Sequence, residues 1–192
     1  MLIVKSIQLG AAKRIKIGGR SVLTAFQKQA TLVSTVVMPL GLMGDEQADL
    51  SIHGGLEKAI YAYPSEHYAF WQKARQQAGV GTMDNSLPHG SLGENLTLNG
   101  LREADVWAGD VLRFANCELK VTIPREPCYK LNAAMGFAHA SQRMAQSGYC
   151  GFYLSVLSPG TLSAGEAFEV IAGRRSVGIP QLFAAKLAKH LR

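Results

Sequence analysis

"DVLRFANCELKVTIP", residues 110–124, decides how this chain folds. Val111 and Leu112 form a short apolar run, and Ala115-Asn116 turns the chain. Leu119, Val121 and Ile123 then alternate with Glu118, Lys120 and Thr122. A period of two sends alternate side chains to opposite faces, so this is a half-buried strand. Proline cannot donate to a ladder, so Pro124 closes the strand. Toward the N-terminus the same character recurs. "IVKSIQLG" (3–10) and "RIKIGGRSVLTAF" (14–26) predict strands, the second folded back at Gly18-Gly19. "TLVSTVVM" (31–38) predicts another, closed by Pro39. Toward the C-terminus "FYLSVLSPGTLSAGEAFEVI" (152–171) reads as strand, Ser-Pro-Gly turn, strand.

Helices are few. In "YPSEHYAFWQKARQQAG" (63–79) Pro64 suits a first turn, Glu66 suits the positive end, and Tyr68, Trp71, Arg75 and Ala78 share a face. "FAHASQRMAQSG" (137–148) predicts a short helix stopped by Gly148, and "PQLFAAKLAKHLR" (180–192) one with Phe183, Leu187 and Leu191 spaced by four. Strands and helices do not alternate regularly, which argues against a parallel α/β fold. The expected architecture is mainly β (α+β), a β-barrel with a few peripheral helices.

The 192 residues suit one domain with a small appendage, and 47% hydrophobic content suits a buried core. A formal charge of +6 favours anionic partners, but the chain has no long basic run of the kind that binds nucleic acid. Cys117, Cys128 and Cys150 contain no C-x-x-C pair. The chain shows no signal peptide and no apolar run of about eighteen residues, so a cytoplasmic protein with free thiols and no membrane span is expected.

Past Pro124 the chain reads "REPCYKLN" (125–132). Prolines 124 and 127 stiffen the loop, and Arg125 and Lys130 flank Cys128. A thiolate is both nucleophile and soft metal ligand, and nearby cations favour it over the thiol. From the residues alone, Cys128 remains open between inert packing, nucleophile and metal ligand. Cys117 and Cys150 sit in or beside apolar runs and read as inert. In "SIHGGLEKAIYAYP" (51–64), His53 precedes two glycines that could form an anion nest or simply a tight turn. In "GSLGENLTLNG" (90–100), Asn95 could present its amide to a heterocycle or form an Asx turn. The signatures of P-loop enzymes, zinc proteases and serine hydrolases are absent.

Taken together, "GLMGDEQAD" (41–49), "HGGLEKAIYAYPSEHYAFW" (53–71), "LGENLTLNGL" (92–101), Gly109-Asp110 and "PREPCYKLN" (124–132) resemble the MOSC domain, named for the C-terminal domain of molybdenum cofactor sulfurase. The resemblance is to its stand-alone bacterial branch, the YiiM-like proteins, and spans roughly residues 20 to 172. It implies a MOSC-type barrel over residues 1–175, followed by an amphipathic helix over 176–192 that is short beside the helical extension of that branch. It also implies the molybdenum cofactor (molybdopterin), with Cys128 as metal ligand and catalytic residue and Arg125, Asn95, His53 and Lys28 as cofactor contacts. Ile123 stands where the family often carries glutamine. The implied activity is that of an oxidoreductase acting on small N-hydroxylated compounds, such as hydroxylamino purine analogues. Electrons would come from a separate flavin or iron–sulfur reductase. No pyridoxal phosphate, nucleic acid or membrane partner is expected. Two alternatives share the same cysteine: a sulfur carrier or transferase with a Cys128 persulfide, and a non-catalytic cofactor-binding module.

Overall fold

The computed structural model describes residues 1–48, 54–81 and 86–190. The first part of the chain is a succession of short strands: β1 (Ile3–Leu9), β2 (Lys13–Ile17), β3 (Arg20–Thr24), β4 (Gln29–Thr31), β5 (Thr35–Met38) and β6 (Gly41–Leu42). Next come β7 (Ile60–Pro64), α1 (Tyr68–Gln77) and β8 (Leu96–Asn99). The strand pair that the alternation predicted follows as β9 (Val111–Arg113) and β10 (Glu118–Pro124). The rest is α2 (Tyr129–Met135), α3 (Ala140–Ser147), β11 (Phe152–Ser158), β12 (Gly160–Leu162), β13 (Glu169–Ile171) and α4 (Ile179–His190).

Eight strands form one sheet in the order β13-β9-β10-β11-β7-β8-β1-β4. All its pairs are antiparallel except β7–β8. Parallel neighbours need a long crossover, and the chain between β7 and β8 supplies one that contains α1. All five residues of β7 are buried, as expected of a strand covered on both faces. Leu119 and Val121 of β10 join this core, and Ile123 packs half-buried against it. Ile123 is therefore a strand position carrying apolar contact.

The mainly β architecture with a few helices is as expected, and its large sheet is curled without being a closed barrel. Among the described residues no strand ladder joins the two ends of the large sheet. Instead the N-terminal half of β1 is approached by the segment before β13. Val4 N–H donates to the Glu166 carbonyl (2.9 Å), Gly165 N–H to the Val4 carbonyl (2.7 Å), and Ile3 bridges Ala167. The sheet curls toward closure but stops at these few bonds. β4 occupies the same side of β1 further along, at Ile7–Leu9, so no full strand can pair there.

Two smaller sheets flank it. β12-β5-β6 recruits β12, so the strand after the Ser-Pro-Gly turn pairs with β5 rather than folding back on β11. The run "TLVSTVVM" is also split between β4 and β5, with Leu32 and Val33 exposed at the break. β2 and β3 form a hairpin of their own, paired from Ile17↔Arg20 to Lys13↔Thr24. Its tip residues have φ of 56° (Gly18) and 80° (Gly19), a turn that glycine adopts without steric cost.

Candidate functional site

The site grows out of the end of β10. Pro124 closes the strand, Arg125 to Pro127 turn the chain, and Cys128 is the last extended residue (φ −138°, ψ 163°) before α2 begins at Tyr129. That helix is absent from the sequence reading, since "YKLNAAM" lacks a long apolar period; it buries only Leu131 and Met135. Cys128 is half-buried, whereas Cys117 and Cys150 are buried. Burial, helped by Glu166, pushes the Cys117 thiol up to about 11, and burial raises that of Cys150 well above its ordinary value. Neither can supply a thiolate near neutral pH, so the described structure separates one accessible sulfur from two inert ones.

Cys128 lines an open cleft. Four cations, Lys28, Lys58, Arg125 and Lys130, and two carboxylates, Asp45 and Glu46, share its wall. Tyr61 and Tyr153 supply aromatic surface. Burial raises the pKa of both phenols, so they stay neutral and do not compete for the cations.

Arg125 is only 5% exposed. Its guanidinium lies between the rings of Phe26 (4.9 Å to the centroid) and Tyr61 (4.7 Å), and Nη1 donates to the Leu92 carbonyl. Two flat faces and one hydrogen bond hold the group still. Its Nε is buried and has no hydrogen-bond partner among the described residues. An unpaired buried donor costs about 1–3 kcal/mol, and here the donor belongs to a residue that lines the cleft.

The sequence motifs are knitted together by backbone contacts. Thr122 Oγ1 donates to the Glu57 carbonyl (2.6 Å) and lies 3.1 Å from the Tyr153 carbonyl. Gln47 accepts from Gly55 N–H (2.8 Å) and donates to the carbonyls of Leu40 (2.7 Å) and Ala59 (3.3 Å). The GDEQ loop therefore holds the glycine pair against the strand that carries Tyr61. Asn95 lines the cleft, but its Oδ1 accepts from Tyr61 N–H (3.1 Å) and its Nδ2 donates to the Gln8 carbonyl (3.3 Å). Its amide bridges β7 and β1. Lys28 also lines the cleft, with its ammonium donated to Asp45, and the two side chains are 6% and 5% exposed. Burial lowers the Lys28 pKa against the opposing pull of Asp45. His53 lies outside the described residues.

One hub went unread in the sequence. Glu94, fully buried, accepts from Gly90 N–H (2.8 Å), Leu92 N–H (3.1 Å), the Thr97 hydroxyl (2.9 Å) and the Tyr68 hydroxyl. This carboxylate shapes the 90–97 loop whose Leu92 carbonyl anchors Arg125. Gly93 belongs to it: at φ 81° a Cβ would come within 3.2 Å of the Phe26 ring. The sequence places Glu94 in a glycine-bracketed motif, but its four donors come from positions that only the fold gathers. Tyr61 and Tyr153 likewise come from strands far apart in the chain.

The site is an aromatic-walled, cation-rich cleft with one accessible cysteine on an open, curled β-sheet, a lining whose chemistry suits an anionic ligand beside a thiol. The MOSC domain model matches residues 49–169, and this chain belongs to that family, the molybdenum cofactor sulfurase C-terminal family. The chain is 35% identical to the uncharacterized protein YflK of Bacillus subtilis (strain 168), over 97% of this chain and 80% of the relative. It is 37% identical to protein YiiM of Escherichia coli (strain K12), over 79% of this chain but 65% of that protein. A protein named Reductase from Gibberella moniliformis is 29% identical over 88% of this chain, which spans 29% of that relative's length. Among solved structures, YiiM from Geobacillus stearothermophilus superposes with a TM-score of 0.76 at 27% identity, covering 100% of this chain and 87% of that one. YiiM from Escherichia coli superposes with a TM-score of 0.73 at 27% identity, covering 96% of this chain and 76% of that one.

The cleft fits the cofactor with which the family is associated. A soft sulfur donor, Cys128, lines it. The Arg125 guanidinium and the Lys130 ammonium on the same wall suit a phosphate-bearing group.

Proposed function

We propose that this protein is a molybdenum-cofactor-dependent oxidoreductase that reduces small N-hydroxylated compounds, with Cys128 as the protein ligand to the metal. The observation that carries the reading is the Arg125–Cys128 corner: an accessible thiol beside a buried guanidinium whose Nε has no partner among the described residues. When bound, the cofactor supplies a redox-active metal that can take an oxygen atom from substrate. The chain's own groups bind and orient. Cys128 offers a soft sulfur donor, while Arg125 and Lys130 hold negative charge. Asn95 and Lys28 serve mainly to set the wall, because their polar ends are engaged by backbone and by Asp45. Tyr61 and Tyr153 exclude water from that wall and strengthen the charge interactions there.

In the net reaction the N–O bond of R–NHOH breaks, and two electrons and two protons yield R–NH2 and water. The electrons come from a separate flavin or iron–sulfur reductase. The reductase name of the fungal relative supports this direction of chemistry. A reducing, cytoplasmic setting, which keeps Cys128 a free thiol, belongs to the same proposal. No helix among the described residues is long and apolar enough to cross a membrane.

Elemental analysis of protein from cofactor-replete cells tests the reading, with reduction of a hydroxylamino purine by dithionite-reduced protein as the second readout. Wild type should hold molybdenum and turn over, and Cys128→Ala should lose both. Full molybdenum content in that variant would end the proposal. A labile added sulfur on Cys128 with no metal would favour the sulfur-carrier alternative instead.

A further inference from the structure

The net charge of this protein is not spread over it. Residues 1–44 contain six lysines and arginines and no acidic residue. The other fourteen basic residues are matched by all fourteen acidic ones, so the whole +6 resides in the N-terminal segment. Four of those six cations, Lys13, Arg14, Lys16 and Arg20, sit on the β2–β3 hairpin, and all four are exposed. None of them has an ion-pair partner among the described residues. The nearest acids at the hairpin base are already engaged: Asp45 takes Lys28 and Gly10 N–H (2.8 Å), and Glu46 takes Ala12 N–H (2.7 Å).

The hairpin is also placed to matter. It belongs to neither larger sheet, and a Cβ on Gly18 or Gly19 at its tip would meet nothing within 4 Å. At its other end β3 runs into Thr24 and Ala25, which line the same cleft as Cys128. Lys130, two residues past Cys128, reaches the Leu23 carbonyl of β3 (3.4 Å). The positive surface therefore runs from the hairpin onto the rim of the cleft.

We infer that the β2–β3 hairpin is the docking site of an acidic electron-carrier protein, held by Lys13, Arg14, Lys16 and Arg20 at the mouth of the Cys128 cleft. The inference rests on the proposed reductase reading, which requires a separate electron donor. Encounters between redox proteins are small and transient, and complementary charge steers them with little buried area. Four unpaired cations on a projecting ribbon, interleaved with half-buried Ile15, Ile17 and Val22, meet that description. A nucleic acid fits less well. The hairpin has no aromatic side chain for base stacking, and residues 45–192 carry no surplus of cations with which to follow a phosphate backbone.

The test uses the full chain and a variant with Lys13, Arg14, Lys16 and Arg20 all changed to threonine. The probe is a plant-type [2Fe–2S] ferredoxin of net negative charge. Binding should weaken about tenfold or more between about 20 mM and about 200 mM salt, and by a similar factor in the variant at low salt. Ferredoxin-driven reduction should fall with it, while dithionite-driven reduction stays at the wild-type rate. Unchanged ferredoxin affinity in the variant would overturn the inference. So would an equal loss of dithionite-driven reduction, which would mean that the hairpin serves the cleft itself, or tighter hairpin-dependent binding of a random oligonucleotide than of ferredoxin. Absence of dithionite-driven reduction in wild type, with hairpin-dependent ferredoxin binding intact, would overturn the reductase reading and leave the docking surface standing.

Discussion

Glu94 and Arg125 are both charged and nearly inaccessible, and both stand in short motifs of the same character, yet the fold treats them in opposite ways. The Glu94 carboxylate is surrounded by four donors and faces the interior of its own loop. Arg125 donates to the Leu92 carbonyl and lies between two aromatic faces, and its buried Nε has no partner among the described residues. Most buried polar groups are satisfied within the fold, and among the described residues Arg125 Nε is an exception, as are Gln8 Oε1 and Ser155 Oγ. Cys128 sits on the Arg125 side of this division, and Asn95, next to Glu94, sits on the structural side.

Four substitutions test the division. The largest expected effect is that of Cys128→Ala, which should abolish reduction of a hydroxylamino purine, a loss of more than about 100-fold. Its unfolding midpoint should move little, because a half-buried side chain is removed. A large loss of stability in place of lost activity would move Cys128 to the structural side.

Glu94→Ala should do the reverse. It strands four donors in a buried loop, and removal of one side of a buried charged network costs about 3–5 kcal/mol. Urea unfolding at neutral pH measures this. A change below about 1 kcal/mol would show that Glu94 is not the hub its bonds describe.

Asp45→Asn separates charge from hydrogen bonding, since an asparagine oxygen still accepts from Gly10 N–H. At neutral pH the bare Lys28 ammonium should cost about 3 kcal/mol. The folded pKa of Lys28 lies below its unfolded value because burial disfavours the charge. Between the two pKa values the unfolded chain binds the extra proton, so this residue makes stability rise with pH toward the ordinary lysine value. Loss of Asp45 lowers the folded pKa further. The gap between variant and wild type should therefore narrow from about pH 7 to about pH 10. A gap independent of pH would remove Lys28 as its cause.

The smallest expected effect is that of Phe26→Leu, which takes one aromatic face from Arg125 and should weaken cofactor retention by about 1 kcal/mol. Molybdenum content after dialysis reads it. Unaltered retention would leave Tyr61 and the Leu92 carbonyl as sufficient support for the guanidinium.

Much of this division was legible only in part. The alternation at Leu119, Val121 and Ile123 and the Gly18-Gly19 turn marked β10 and the hairpin, because both patterns are local and period-two burial is visible in any half-covered strand. "TLVSTVVM" misled for the same reason: propensity is continuous through Leu32 and Val33, but the chain leaves β1 there and begins a second sheet. Helix α2 was invisible, being short and anchored by tertiary contacts rather than by its own period. The motif cysteine and its cationic neighbours stood out by residue type. That Asn95 bridges two strands, and that Lys28 is already paired, could not stand out, since the partners Gln8, Tyr61 and Asp45 lie 17 to 87 residues away.

The sequence by itself determined the strand-rich class, the family, the one cysteine between prolines and the placement of positive charge in the first 44 residues. These are properties of residue type and local order, and they survive without coordinates. Tertiary structure alone decided that the sheet stays open, because β4 and the segment before β13 divide one side of β1. It also decided which polar groups are paired within the fold and which stay available to a ligand, because hydrogen-bond satisfaction depends on partners that only folding brings within 3 Å or so.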